Sequence, residues 1–333
     1  MLPTRLAVRL HGIRPSCFAT SRTSMIAVRK AQPEIDISSS ASSTDLNASA
    51  WKRQPSTSKM ETTSHLHFDL SSLFACVIGT TLLSACANAC NHLLEAPYDA
   101  QMKRTQARLL VVHRFSPLHA AVFASVVASA GTCILWDGCN SLTAMLGLLN
   151  VFLYAGVYTP MKRHSAACTW VGAIVGSIPP LMGYTAATGT LEPAAFALAA
   201  VLYCWQFPHF NALSWNHRGD YSRAGYRIMC VTDEALCKRT TLRHSLALLG
   251  ICSFVVPYSG LTTWSFAFDS LPVNACLLYL SAKFFCNPNA KTSRSLFRYS
   301  LVYLPLMMVL MVVSKYGQAS ATEVHISKCD HDS

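Results

Sequence analysis

The run Phe68–Asp99 reads FDLSSLFACVIGTTLLSACANACNHLLEAPYD, and its reading decides the fold. Residues 68–91 carry a single charge, Asp69, and as a helix are long enough to cross a hydrocarbon core of about 30 Å. Polar groups then return at a fixed spacing, as Asn91, Glu95 and Asp99. An apolar span that ends in a row of oxygen-bearing side chains is a membrane helix reaching an interface.

Seven further apolar runs follow, near 117–136, 142–158, 169–187, 193–213, 246–265, 271–285 and 301–313. Lipid offers no partner to a backbone amide, so each span must satisfy its own hydrogen bonds. An all-α, polytopic membrane helix bundle follows, with eight apparent transmembrane helices. No strand alternation strong enough for a barrel is present. Composition agrees: 52% of the 333 residues are apolar and 13% charged, against about 25% charge in soluble domains. The net charge of +11 does not point to nucleic acid, because the basic residues punctuate apolar runs instead of forming one face. Fourteen cysteines occur without a CxxC pair, and most sit inside apolar segments, as small packing residues do.

Residues 1–33 hold Arg5, Arg9, Arg14, Arg22, Arg29 and Lys30, several Ser and Thr, and no acid. That composition is expected of a mitochondrial transit peptide. A Ser-rich linker follows at 38–58, so 1–65 is set apart from the fold, 66–316 forms the transmembrane domain, and 317–333 is a polar C-terminal tail.

The loops after the first, third, fifth and seventh segments hold fifteen basic residues, among them Lys103, Arg104, Arg108, Lys162, Arg163, Arg223, Lys238, Lys291, Arg294 and Arg298. Loops near 137–141, 188–192 and 266–270 hold none. The positive-inside rule places the basic side in the matrix. Eight spans then put both termini on the opposite side, together with the basic N-terminal tail. Either that tail crosses to the intermembrane side, or the sequence lacks a helix ahead of Phe68.

On a helix, Asn91, Glu95 and Asp99 share one face, drifting by about 80° over two turns. Stacked oxygens at a membrane boundary suit a hard cation such as Mg²⁺. Arg104, Thr105 and Arg108 follow at once. Carboxylates beside guanidiniums describe a diphosphate cradle, since Arg forks bind phosphate oxygens bidentately. A solvated acidic helix end is the other reading. Lys162 and Arg163 lie on the same side, where an ordinary interfacial anchor accounts for them equally. Within the fifth segment, Trp205, Gln206, His209 and Asn211 precede Asp220, Tyr221 and Arg223. Polar side chains in a membrane helix are costly unless they face a cavity or find partners, so His209 is either a cavity residue or a packed, hydrogen-bonded one. Ile178-Pro-Pro-Leu-Met-Gly183 predicts a break in the fourth helix.

The runs YTPMKR at 158–163, TWVGAIVGSIPPLMGYTAATG at 169–189 and WQFPHFNALSW at 205–215 resemble the mitochondrial protoheme IX farnesyltransferases, or heme O synthases, of the intramembrane aromatic prenyltransferase superfamily. The resemblance covers about 68–316. It implies a nine-helix bundle with a matrix-side cap, against eight apparent helices here. It matches Asn91, Glu95 and Asp99 to the first acidic motif, and Met102, Arg104, Thr105 and Arg108 to its cationic continuation. Asp220, Tyr221, Arg223 and Gly225 match the second motif, where a single aspartate beside Gln-Phe-Pro-His favours heme over a phenolic acceptor. Three departures stand out: no counterpart of the first helix, Leu109 after Arg108, and Cys168 before Thr-Trp-Val-Gly.

The implied reaction joins farnesyl diphosphate to the vinyl group of heme B, in the inner membrane, ahead of a heme A synthase. Asn91, Glu95, Asp99 and Asp220 are the expected catalytic and Mg²⁺-binding residues. Arg104, Thr105, Arg108, Lys162, Arg163 and Arg223 are expected on the diphosphate. Trp205, Gln206, His209, Asn211 and Tyr221 are expected around the heme, with His209 near its iron or a propionate. Other readings are an impaired or incompletely encoded form without the first helix, and a related enzyme with a quinone-precursor acceptor. A mitochondrial carrier would need Pro-x-Asp/Glu-x-x-Lys/Arg three times, and Pro97-Tyr-Asp99 ends on Met102 without recurring.

Overall fold

The computed structural model describes residues 70–331, with side chains described as far as Lys315. The expected transit peptide and linker, 1–65, lie outside the described residues, as do the side chains of the C-terminal tail.

The chain folds into helices, with no strand among the described residues. Eight are long: α1 Leu70–Asp99, α2 Pro117–Gly138, α3 Ser141–Met161, α4 Cys168–Thr188, α5 Pro193–Asn216, α8 Glu234–Tyr258, α9 Ser265–Cys286 and α10 Ala290–His331. Two short helices, α6 Arg218–Arg223 and α7 Met229–Thr232, lie between α5 and α8. Five of the long helices, α1, α2, α3, α8 and α10, are both long and apolar enough to cross a membrane.

Local chemistry sets the boundaries. Ser116 caps α2 by accepting from His119 N at 3.3 Å, with Pro117 at the first helical position. Asn140 caps α3 from Thr143 N at 2.8 Å, and Asp233 caps α8 from Leu236 N at 2.8 Å. Helix α4 stops at Gly189, whose φ of 74° closes the last turn. Wide π-helical turns occur at Leu153–Tyr158 and Ile251–Val255, each just ahead of a proline, Pro160 and Pro257. A proline ring crowds the carbonyl four residues back, and a widened turn accommodates it.

The helices form two connected groups. α1, α2, α3 and α4 pack in sequence, and α5 packs against α4, α8 and α10, with α9 between α8 and α10. Gly79 and Gly131 let α1 and α2 approach closely: a Cβ on Gly131 would lie 3.0 Å from the Gly79 carbonyl oxygen. The larger core surrounds α5 at Val201, Phe207 and Ala212, which are fully buried together with Phe266, Leu277 and Tyr303. Short polar bonds tie neighbours across the apolar interior. Thr143 and Thr185 hydroxyls meet at 2.8 Å, Ser245 and Ser281 at 2.7 Å, and Tyr303 donates to Asn274 Oδ1 at 2.7 Å.

Two expectations change. The predicted break at Pro179-Pro180 is absent, and α4 runs through both prolines to Thr188. The amides they lack would have served the carbonyls of Val175 and Gly176, and both residues border a cavity instead of packed protein. The basic residues Lys238, Arg239, Arg243, Lys291, Arg294 and Arg298 stand on the first turns of α8 and α10, not in loops. Helices continue past their apolar stretch because backbone hydrogen bonding does not stop at the hydrocarbon edge.

Candidate active site

The C-terminal end of α1 carries Asn91, Glu95 and Asp99 into the interior, where each is buried, with 4%, 6% and 2% of its surface exposed. Pro97 leaves the helix intact up to Asp99. Buried carboxylates need cationic partners, and each has one. Lys162, just past α3, places Nζ 2.9 Å from Glu95 Oε1. Arg108, in the turns after α1, forms a close ion pair through Nη1 with Asp99 Oδ2. Asn91 donates to Thr159 Oγ1 at 3.3 Å, and the Thr105 hydroxyl donates to the Asp99 carbonyl at 3.0 Å, which folds the cationic segment back on the helix.

Asn91, Glu95, Asp99, Arg108 and Lys162 line a cavity of about 360 Å³ together with Met102, Arg104, Tyr154, Tyr158, Gln206, Tyr221 and Tyr226. Aromatic rings hold the cations. Lys162 Nζ stands 4.5 Å from the centroid of Tyr158, and Arg104 Nη2 donates to the Tyr221 hydroxyl at 3.5 Å. Gly225, at φ 75°, turns the chain after α6 so that Tyr226 N reaches Tyr221 O at 3.0 Å and the Tyr226 ring meets Tyr221 and Tyr98 edge-on. The Arg227 amide donates to the Lys162 carbonyl at 2.8 Å, fastening this segment over the site. Burial, reinforced by the Glu95 and Asp99 carboxylates, pushes the Tyr226 phenol well above its ordinary pKa. Burial likewise raises Tyr221, although Arg104 and Lys162 oppose the shift.

A second cavity, of about 820 Å³, lies among α1, α3 and α4 and shares Tyr154, Val175 and Gly176 with the first. Its walls are mostly apolar or small, with Val77, Leu83, Ala87, Val151 and Met182, and it extends along the spans.

The structure therefore brings together Asn91, Glu95, Asp99, Arg104, Arg108, Lys162, Gln206, Asn211 and Tyr221 at one cavity. Other expected residues point elsewhere. Asp220 pairs with Arg223 at 3.6 Å within α6, and neither borders the cavity. Arg163 stacks on Tyr98, its Cζ 4.1 Å from the ring centroid. Thr105 acts through the Asp99 backbone. His209 and Trp205 stack at 4.6 Å and face α10, where His209 Nδ1 meets Ser300 Oγ at 2.9 Å and Trp205 Nε1 donates to Ser300 O at 2.9 Å. On this helix, positions 206 and 210 look into the cavity, while 205 and 209 look to the neighbouring helix. Tyr154, Tyr158 and Tyr226 were not among the expected site residues, although Tyr158 opens the YTPMKR run. The i, i+4 pair of tyrosines one turn before Lys162 was the signal available for two of them.

Among the described residues, no three His, Cys, Asp or Glu side chains form a metal-binding group. The donors that share the cavity are the two carboxylates and the amide of Asn91, Glu95 and Asp99, all hard oxygen ligands. Such a set fits a magnesium-like ion that takes its remaining ligands from phosphate oxygens and water, and not a zinc-like one.

Three comparisons bear on this geometry. Residues 58–304 match the model of the UbiA prenyltransferase family. The chain is 50% identical over 248 residues to the mitochondrial protoheme IX farnesyltransferase of Homo sapiens, covering 74% of this chain and 56% of the human protein. It is 37% identical over 270 residues to the enzyme of that name from Saccharomyces cerevisiae, covering 75% of this chain and 58% of the yeast protein. The chain thus spans little more than half the length of these curated relatives. In fold, it is similar to the apo structure of a UbiA homolog from Aeropyrum pernix K1, with a TM-score of 0.57 at 17% identity, over 73% of this chain and 90% of that one.

Proposed function

The chain belongs to the UbiA prenyltransferase family, and from that premise we propose that it transfers the farnesyl group of farnesyl diphosphate to a vinyl group of heme B, giving heme O. The observation that carries this reading is the pairing of Glu95 with Lys162 and of Asp99 with Arg108 at a cavity that shares Tyr154, Val175 and Gly176 with a second, mostly apolar one. The acceptor comes from the farnesyltransferase names of the 37–50% identical relatives.

The reaction poses a problem of charge. As the allylic C–O bond breaks, diphosphate gathers negative charge while the farnesyl fragment becomes a cation. The vinyl carbon then attacks that cation, and water adds at the neighbouring carbon with loss of a proton, leaving a hydroxyethylfarnesyl side chain. Arg104, Arg108 and Lys162 offer positive charge to the leaving group, held in place before its negative charge develops. Tyr158 and Tyr154 hold Lys162 in place from one side and Glu95 holds it from the other. The raised Tyr226 phenol stays protonated and serves as a neutral donor beside the carboxylates. The farnesyl chain lies along the mostly apolar walls of the second cavity.

Asn91, Glu95 and Asp99 would hold a Mg²⁺ ion, and such an ion supplies Lewis-acid neutralisation of diphosphate. The protein would sit in the mitochondrial inner membrane, with the cradle facing the matrix because the basic residues gather there. Its product is the substrate of a heme A synthase.

The test is product mass. The chain is expressed in cells lacking their own farnesyltransferase, and extracted hemes are separated with mass detection. Heme O is expected from the unmodified chain and none from Asp99→Asn at equal membrane insertion. No farnesylated heme from inserted wild-type protein would overturn the reading, and a prenylated phenol in its place would identify a quinone-precursor acceptor.

A further inference from the structure

On the same cationic side, α5 and α10 border an open groove of about 710 Å³ that the cradle does not use, on which Lys291, Arg294 and Arg298 are exposed. Its walls are Leu213 and Asn216 from α5, His217 just after it, and Lys291, Arg294, Phe297 and Arg298 from α10. The spacing of 291, 294 and 298 puts the three cations on one helix face. None of them lies within 4.0 Å of a carboxylate among the described residues, where the ion pairs are made by Arg108, Lys162, Arg218, Arg223 and Lys238. Arg294 Nε donates to Ala290 O at 2.9 Å and Arg298 Nε to Arg294 O at 3.4 Å. Their terminal guanidinium nitrogens have no partner among the described residues.

Interfacial anchoring alone explains three cations. It does not explain a groove of ligand size with an aromatic and an aliphatic wall. The ligand that fits has two anionic groups on one edge of an apolar body. Leu213 belongs to this groove and also to the cradle, so the two sites adjoin. Porphyrin acceptors have this shape, with two propionates on one edge and vinyl groups on the far side of the ring. We propose that Lys291, Arg294 and Arg298 bind the propionate edge of the acceptor, which directs its vinyl edge past Leu213 toward the allylic carbon. The proposal rests on the heme reading given above. It makes the three cations specificity-determining residues that never touch diphosphate.

The test uses the full chain in nanodiscs of phosphatidylcholine, titrated by absorbance with heme B and with its dimethyl ester, which keeps the ring and loses both charges. The unmodified chain is expected to prefer the free acid by about tenfold or more, since charge-assisted bonds are the strong ones. R294Q/R298Q is expected to lose that preference, bind the ester as before, and keep its KM for farnesyl diphosphate. R294K/R298K is expected to retain part of the preference. Equal binding of acid and ester by the unmodified chain overturns the proposal without needing a variant that folds. Unchanged preference in R294Q/R298Q also overturns it, and if that variant instead loses anionic phospholipid that co-purifies with the unmodified chain before reconstitution, the groove is a lipid headgroup site. Binding of neither porphyrin, with no heme O in the product test, would bring down the acceptor reading itself.

Discussion

Lys162 and Glu95 stand 67 residues apart in sequence, yet Nζ lies 2.9 Å from Oε1, with the side chains only 15% and 8% exposed. The bond fastens the end of α3 to the end of α1 and sets a cation against the cavity wall. Isolated, either charge would be costly at that depth. Paired, they offset one another and leave the cavity wall charged on both sides.

Removing one partner should therefore cost more than removing both. Lys162→Met leaves Glu95 buried and unpaired, and should destabilise the fold by about 3–5 kcal/mol. The double change Lys162→Met/Glu95→Gln should recover most of that stability without recovering turnover. Thermal unfolding in detergent alongside product mass separates the two effects. Equal stability of the single and double variants would mean that the pair carries no structural weight.

Much of this was legible in the sequence because hydropathy and charge are strong, local signals. Eight apolar runs became eight long helices, and Asn91, Glu95 and Asp99 could be placed on one face by counting. Which residue faces which neighbour was not legible. Gln206 and His209 look alike as polar residues in an apolar helix, and only the packing of α10 shows that His209 turns to Ser300 while Gln206 turns to the cavity. Tyr226 was invisible for a related reason. It reaches the site through a left-handed turn at Gly225, and nothing in its own neighbourhood announces the destination.

His209 accordingly should behave as a packing residue. His209→Gln and Ser300→Ala each remove the same hydrogen bond, so their effects on stability should overlap instead of adding, with a coupling of about 0.5–1.5 kcal/mol. Turnover should stay within about threefold of wild type in each, since no transition-state contact is lost. A kcat loss of tens of fold in His209→Gln with normal stability would return this side chain to the acceptor.

The Tyr226 phenol makes a prediction in pH. Its pKa is raised, so its neutral form persists to higher pH than that of an ordinary tyrosine and does not titrate between about pH 6 and 9. Any alkaline limb of kcat/KM in that range must then come from another group and should survive unchanged in Tyr226→Phe, even if the absolute rate falls. A limb that disappears in the variant would show that the phenol ionises there, against the burial that raises its pKa.

The approach of α4 to α5 makes the last one. Gly176 has no Cβ, and the space is taken by the Gln206 amide, which donates to Ala173 O at 3.0 Å and Leu202 O at 3.2 Å. A methyl group at 176 would collide with that amide. The side chain would have to leave, and a buried amide that loses its partners costs about 1–3 kcal/mol. Both residues border the cradle cavity, so Gly176→Ala should lower stability and turnover together. Gln206→Ala opens room for the methyl group, so Gly176→Ala/Gln206→Ala should be more stable than Gly176→Ala alone. If the second change instead adds its own full loss, the two helices are not held apart by this contact, and the close approach at Gly176 has another cause.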